Sequence, residues 1–382
     1  MSAAGRSAEQ TAAVTRSIAA TREAIAALPR PLGLVPTMGA LHEGHLALIR
    51  AASAECAAVV VSIFVNPTQF GPHEDLASYP RDEARDVGLA TAAGADLIFA
   101  PPAGEMYRPG AVTTVRLGGP LATLYEAAER PGHFDGVATI VAKLLSIVGP
   151  RRAYFGRKDA QQLAVVRRLT ADLDLPVEIC AVDTVREPDG LALSSRNVYL
   201  TPAQRAKAPE LYRALQAGRA RAADGARAIV AEVTAKLVIG FPPYLRLADD
   251  PDDPPPAFSV DYVAVVDPLS FAAAGEPLDA AALDAAALDT SAPGVVASDA
   301  MATDAVAPGS LIIAAARLGA IRLLDNVAVG PATSETSDLQ ASDPRVSDPD
   351  TIGNAARRPA ATRHTTTPQE PHPHGGAASK EE

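Results

Sequence analysis

LGLVPTMGALHEGHL, residues 32–46, joins a short apolar run to a glycine-containing turn and then to the start of a helical pattern. The run at 32–35 has the unbroken hydrophobicity of a strand buried on both faces, which is how parallel strands read. Further runs of this kind lie at 59–65, 96–100, 153–155 and 177–182, separated by helix-period stretches. Over 136–149, Val137, Ile140, Val141, Leu144, Leu145 and Val148 follow a spacing that only a helix gathers on one face. From residue 32 to about 185 the pattern predicts a parallel sheet covered by helices on both sides.

A second unit is expected from Thr201. Thr201-Pro202-Ala203-Gln204 combines an N-cap hydroxyl, a proline at the first helical position and a glutamine able to complete a capping box, so a helix should begin there and run to about residue 223. A helix over 226–238 follows, then strands at 260–266, 310–316 and 321–329, giving a small α+β half. Residues 242–256, rich in Pro and Asp, and 272–308, rich in Ala, Asp and Gly, carry too few large side chains to offset their ordering entropy and read as surface insertions. The same composition argument makes 331–382 a disordered tail, and His364, His372 and His374 incidental within it.

The chain has 382 residues, enough for two packed domains. Its 34 Lys+Arg against 45 Asp+Glu, a formal charge of −11, argue against binding nucleic acid by bulk electrostatics. Cys56 and Cys180 are too few for a disulfide framework or a zinc cluster, so a reducing compartment, most simply the cytoplasm, is expected. No apolar run reaches membrane-spanning length, and no signal h-region precedes residue 30.

Neither GxGxxG after a strand nor GxxxxGK[ST] occurs, which removes the standard dinucleotide and P-loop readings. His42 and His45, three apart, are expected on one face of the first helical turn, beside unpaired backbone N–H groups that suit a polyphosphate. Taken alone, an HxxH pair is more often structural or metal-binding than part of a nucleotide site. Gly156-Arg157-Lys158-Asp159 follows a strand at the carboxyl edge of the sheet, where open α/β sheets bind ligands; Lys158 and Gln162 share a helix face. An ordinary solvated helix start has the same composition. Leu193-Ser194-Ser195-Arg196-Asn197 offers hydroxyls and a guanidinium for phosphate oxygens, or is a plain surface loop. Asn66-Pro67-Thr68-Gln69-Phe70-Gly71 ends a strand with amides that can orient a small hydroxy acid, or is a plain turn.

Taken together and in this order, PTMGALHEGHL, SIFVNPTQF, YPR, RPGHF, FGRKDAQQL, TVRE, SSRNVYL and LIIAAARLGAIRLLDN resemble the pantoate–β-alanine ligase (pantothenate synthetase) family of the HIGH-motif nucleotidyltransferases. The resemblance implies an α/β fold: a Rossmann-like parallel-sheet domain, here 1–185, and a smaller α+β C-terminal lid domain, here 186–330, in a cytoplasmic homodimer. It implies ATP-dependent condensation of (R)-pantoate with β-alanine through pantoyl adenylate, with Mg2+ accompanying ATP. Carried onto matching positions, it assigns Met38, Gly39, Ala40, Leu41, His42, Glu43, Gly44 and His45 to the ATP site, with His45 as proton donor. Gly156, Arg157, Lys158, Asp159, Val185, Leu193, Ser194, Ser195 and Arg196 join them, Lys158 neutralising phosphate. Gln69 and Gln162 would hold pantoate, with Asn66, Arg130 and His133 near the substrate subsites and Asp86 as the metal contact. Arg157 stands where the family has Glu, Ala160 replaces an aromatic, and Leu193 replaces Met. Two rivals stand beside this reading: a related nucleotidyltransferase with a different acceptor, and a non-catalytic nucleotide-binding or scaffolding protein.

Overall fold

The computed structural model describes residues 11–72, 74–238, 258–274, 278–279 and 304–330. Of the expected surface segments, 242–256, most of 272–308 and 331–382 lie outside them.

The first half alternates strands and helices: β1 Ala13–Thr15, α1 Ile18–Ala26, β2 Leu32–Thr37, α2 Glu43–Glu55, β3 Ala58–Ile63, α3 Glu83–Ala93 and β4 Leu97–Phe99. Three short helices, α4 Ala103–Met106, α5 Pro120–Thr123 and α6 Glu126–Glu129, precede α7 His133–Val148; then come β5 Arg152–Gly156, α8 Ala160–Asp172 and β6 Glu178–Val182. The strands form one parallel sheet in the order β1-β4-β3-β2-β5-β6. One face packs on α1, α7 and α8 through residues such as Leu34, Val60, Phe99, Val141 and Val165; the other packs on α2 and α3 through Val35, Val59, Val61, Ile49 and Ala90. From β2 the chain moves outward to β3, and from β5 it moves the opposite way to β6. The crevice between the carboxyl ends of β2 and β5 is therefore the topological switch point, where ligands of open α/β sheets sit.

The capping box expected at Thr201 is present, with Gln204 N–H donating to the Thr201 hydroxyl and Thr201 N–H to the Gln204 amide oxygen. The single helix expected from there to residue 223 is broken into α9 Pro202–Lys207, α10 Glu210–Arg219 and a 3-10 turn at Ala222–Asp224. Pro209 lacks the N–H that a continuous helix would need and opens the second segment instead. After α11 Ala226–Val238, strands β7 Ser259–Val266, β8 Leu278–Asp279, β9 Leu311–Leu318 and β10 Ile321–Ala328 form an antiparallel sheet in the order β10-β9-β7-β8. Alternation along β7 and β9 divides their side chains between two cores. Val263, Val265, Ile312 and Ala314 pack on α10 and α11, whereas Tyr262, Ala264, Ile313 and Ala315 join the core of the parallel sheet. The second sheet is thus clamped across the first half, beside the switch point.

Two elements go beyond what the sequence pattern predicts. β1, three residues long, has no hydrophobic run to announce it, and β8 lies within the stretch expected to be an insertion, pairing with Tyr262 and Val263 of β7.

Candidate active site

The turn after β2 needs two successive left-handed residues, Gly39 at φ 80° and Ala40 at φ 51°. A Cβ on Gly39 would lie 2.9 Å from Asp86 Oδ2, so the first position also needs its missing side chain. Asp86, buried on α3, accepts the Ala40 and Leu41 N–H groups at 2.7 and 2.8 Å, while Arg85 donates to the Leu41 carbonyl. Asp86 thus anchors the turn through both carboxylate oxygens, and it is not among the residues that line the cavity.

His42 and His45 do not both sit within the first helical turn. His42 is the N-cap of α2 and His45 is at N3, and together they form a capping box made of imidazoles. Gly44 N–H donates to His42 Nδ1 at 3.2 Å and His42 N–H donates to His45 Nδ1 at 3.3 Å. The ring centroids are 4.1 Å apart. A Cβ on Gly44 would lie 2.9 Å from His42 Cε1, which explains the glycine between them. A ring that accepts at Nδ1 carries its proton at Nε2, so each histidine offers one Nε2–H donor. Burial, followed by the neighbouring Lys158, pushes His42 down to about 4; burial and then His42 push His45 down to about 3. Both are neutral donors at pH 7.

Across the switch point, β5 delivers Gly156 to Asp159. Lys158 Nζ lies 3.4 Å from Asp159 Oδ1. Asn326, at the end of β10, donates to the carbonyls of Arg157 and Lys158 at 2.9 and 2.8 Å and so ties this turn to the second sheet. Its neighbour Asp325 is buried and paired with Arg186, whose guanidinium stacks on Tyr212. The Arg157 side chain turns away to Asp183, 3.1 Å distant, and lies outside the cavity lining. The Arg157 charge is therefore directed to Asp183 and not into the cavity.

A 3-10 turn at Pro67–Gln69 follows β3 and packs on α7. Asn66, 1% exposed, donates to Gln69 Oε1 at 3.0 Å and to the Gly136 carbonyl at 3.2 Å, and its own oxygen accepts Tyr107 and Thr68 hydroxyls. It sits beside Gln69 with both its amide N–H groups and its oxygen engaged by protein partners. Gln69 is left with its amide NH2 toward Met38 Sδ at 3.2 Å and lines the cavity. His133 donates from Nδ1 to the Gln69 carbonyl at 2.8 Å and accepts Arg130 at Nε2, 3.0 Å. Burial and then Arg130 push His133 down to about 4. Arg130 also forms a two-point pair with Glu74, at 2.7 and 2.6 Å.

One cavity gathers these groups: Met38, His42, Gly44, His45, Gln69, Arg130, His133, Gly156, Lys158, Asp159, Gln162, Val185, Leu193, Ser194, Ser195 and Arg196 all line it. Gly39, Ala40 and Leu41 are not among the lining residues, and Glu43 is engaged in an exposed ion pair with Arg50. Sequence reading missed Glu74, Asp75, Asp325 and Asn326. The available signals were the acidic pair between NPTQF and YPR, and the polar pair ending an apolar alternating strand. Among the described residues, no group of three or more His, Cys, Asp or Glu is placed to hold a metal ion, and no helix is long and apolar enough to cross a membrane.

The three depressed histidines set an acid limit on folding. The folded state resists protonation where unfolded histidine, near 6.5, accepts it, so stability is full above about pH 6.5 and is lost as pH falls through 6.5 toward 4. Thermal unfolding is expected to show a midpoint lower by on the order of 10 °C at pH 5 than at pH 7.5. A flat midpoint across that interval would mean that these rings are not held neutral.

Residues 10–328 match the family model described as pantoate-β-alanine ligase. The chain belongs to the pantoate-β-alanine ligase family. A pantothenate synthetase of Chloroflexus aggregans is 58% identical over 242 residues, which are 62% of this chain and 86% of that protein. The crystal structure of a pantothenate synthetase from Thermus thermophilus superimposes with TM-score 0.68 at 45% identity, covering 84% of this chain and all of the other. A Francisella tularensis ligase, described as complexed with β,γ-ATP and β-alanine, superimposes with TM-score 0.59 at 26% identity, covering 83% of this chain and 97% of that one. The α/β architecture with a parallel six-stranded sheet and a small antiparallel sheet accords with these relatives.

Proposed function

We infer that this chain condenses pantoate with β-alanine at the expense of ATP, and that it does so in two steps. The observation that carries the reading is the convergence, on one crevice at the switch point, of two neutral imidazole donors, an ammonium and two amide side chains from separate elements. His42 and His45 donate from Nε2 to phosphate oxygens as charge builds on departing pyrophosphate, a role that asks for fixed donors and not for a charged ring. Lys158 neutralises the phosphates and then the departing AMP. Gln69 and Gln162 hold the hydroxyl and carboxylate of pantoate so that a carboxylate oxygen lies in line with the α-phosphorus. That oxygen displaces pyrophosphate, and the β-alanine amine then attacks the acyl carbon of the adenylate and releases AMP. Magnesium accompanying ATP would supply charge neutralisation at the phosphates beside Lys158.

Residues 186–330 are taken as the lid, supported by the Asn326 grip on the Lys158 turn. A cytoplasmic setting is supported by the free thiols of Cys56 and Cys180. A homodimer is proposed on the strength of the family resemblance; sedimentation velocity tests it. The decisive experiment is mass-spectrometric detection of pantothenate and AMP from ATP, pantoate and β-alanine, with each substrate omitted in turn. Pyrophosphate exchange into ATP supported by another acid and not by pantoate would transfer the assignment to a different acceptor. ATP binding with no AMP formed would leave a non-catalytic binder.

A further inference from the structure

The segment 71–80 carries two adjacent carboxylates that reach in different directions. Glu74 holds Arg130 on the Gln69 side of the cavity. Asp75 holds Arg196, which is 121 residues away and belongs to the loop between the two sheets. The Asp75 contact is two-pointed: Arg196 donates from Nε at 3.0 Å and from Nη2 at 2.8 Å. Tyr199 adds a third tie, donating to the Ser78 carbonyl at 3.1 Å. A guanidinium is a flat fork with five N–H donors, and a carboxylate taking its Nε–Nη2 edge leaves the Nη1 end free. Nη1 has no hydrogen-bond partner among the described residues, and Arg196 lines the cavity.

We propose that Asp75 is a positioning residue that fixes the Arg196 fork so that its free end meets the triphosphate. This rests on the ligase reading, which places ATP in the cavity. An arginine held on one edge has already lost most of its rotamer freedom before the nucleotide arrives, so its hydrogen bonds to phosphate bring little further ordering cost. The opposite arrangement is a carboxylate that occupies Arg196 until ATP displaces it. It predicts the reverse sign when Asp75 is removed.

The test is calorimetric binding of MgATP, without acid, to the full chain and to Asp75→Ala, Asp75→Glu, Arg196→Ala and the double variant. Asp75→Ala is expected to raise the Kd for ATP about 10-fold, in the range of one charge-assisted hydrogen bond. Asp75→Glu keeps the charge but shifts the carboxylate by one methylene, and should weaken binding about 3-fold. The double variant should bind no worse than Arg196→Ala, because the two groups act as one. The KM for pantoate in Asp75→Ala should stay within about 2-fold of wild type. Unchanged or tighter ATP binding in Asp75→Ala would overturn the proposal, as would additive losses in the double variant. So would an equal loss of pantoate affinity and of thermal stability, which marks a scaffold role. Because binding is read without chemistry, a wild type that binds ATP yet makes no pantothenate defeats the ligase reading alone. A wild type that binds no ATP defeats both.

Discussion

His45→Ala is expected to lose pantoate-dependent pyrophosphate exchange by about 10²–10³-fold while remaining folded, the size found when one fixed donor to a developing anion is removed. The imidazole does two jobs, and they have different magnitudes. Its Nδ1 closes the capping box by accepting His42 N–H at 3.3 Å, and losing such an acceptor costs about 0.5–2 kcal/mol of stability, which a folded domain survives. In the proposed mechanism its Nε2–H acts only in the transition state, and nothing replaces it. The second half-reaction, from supplied pantoyl adenylate and β-alanine, should be much less affected, because no pyrophosphate leaves in it. His45→Gln places an amide N–H near the lost Nε2 position and should recover about 10-fold of the exchange rate. Near-normal exchange in His45→Ala would remove the histidine from the chemistry.

That prediction stands on a part of the molecule that is readable in the chain. The strand, the glycine turn and the helix start of 32–46 lie within fifteen residues, and a helix N-terminus after a parallel strand has only one place to put its free N–H groups. Gly156 to Asp159 is readable for the same reason: it ends a strand adjacent to the first. What the chain does not reveal is the job of a polar side chain whose partner lies far away in sequence. Asp86 reads as a surface carboxylate on a helix, and only its two bonds to Ala40 and Leu41, about 45 residues upstream, make it the anchor of the phosphate-side turn. Asn66 and Gln69 belong to one motif and look alike as amides. Gln69 Oε1, the Gly136 carbonyl and the Thr68 and Tyr107 hydroxyls occupy Asn66, and this sets the two apart. Asn326 lies 168 residues from Lys158, so no local pattern could link them. The break at Pro209 is of another kind, since the proline stands in plain view. The regular apolar spacing around it masks it, although a missing N–H inside a helix is a stronger signal than propensity.

Gly136 shows how narrow the tolerance is around Gln69. It lies in the first turn of α7, where the 3-10 turn Pro67–Gln69 lies directly on the helix backbone. A Cβ at this position would be 2.3 Å from the Thr68 carbonyl oxygen, 2.6 Å from its carbon and 2.8 Å from Gln69 Cα. All three are backbone atoms, so no side chain can rotate aside and the 67–69 turn itself must move outward, by about 1 Å to reach ordinary contact. Alanine gains about 1 kcal/mol of helix propensity over glycine, but forced displacement of packed backbone costs about 1–3 kcal/mol, so Gly136→Ala should be destabilised overall. The larger effect is on the reaction. The displaced turn carries the Gln69 amide and pulls Asn66 from the Gly136 carbonyl, and an error of about 1 Å in a substrate-holding group is worth roughly 10²-fold in rate. The KM for pantoate should rise and kcat should fall, whereas ATP binding, which the proposed mechanism assigns to α2 and the Lys158 turn, should stay within about 2-fold. Gly88 provides the control. It lies exposed in α3, and a Cβ there would meet nothing within 4 Å, so Gly88→Ala should stabilise the protein by about 0.5–1 kcal/mol and leave turnover alone. If both substitutions behaved alike, the contact between α7 and the 67–69 turn would not be what places the pantoate-binding amide.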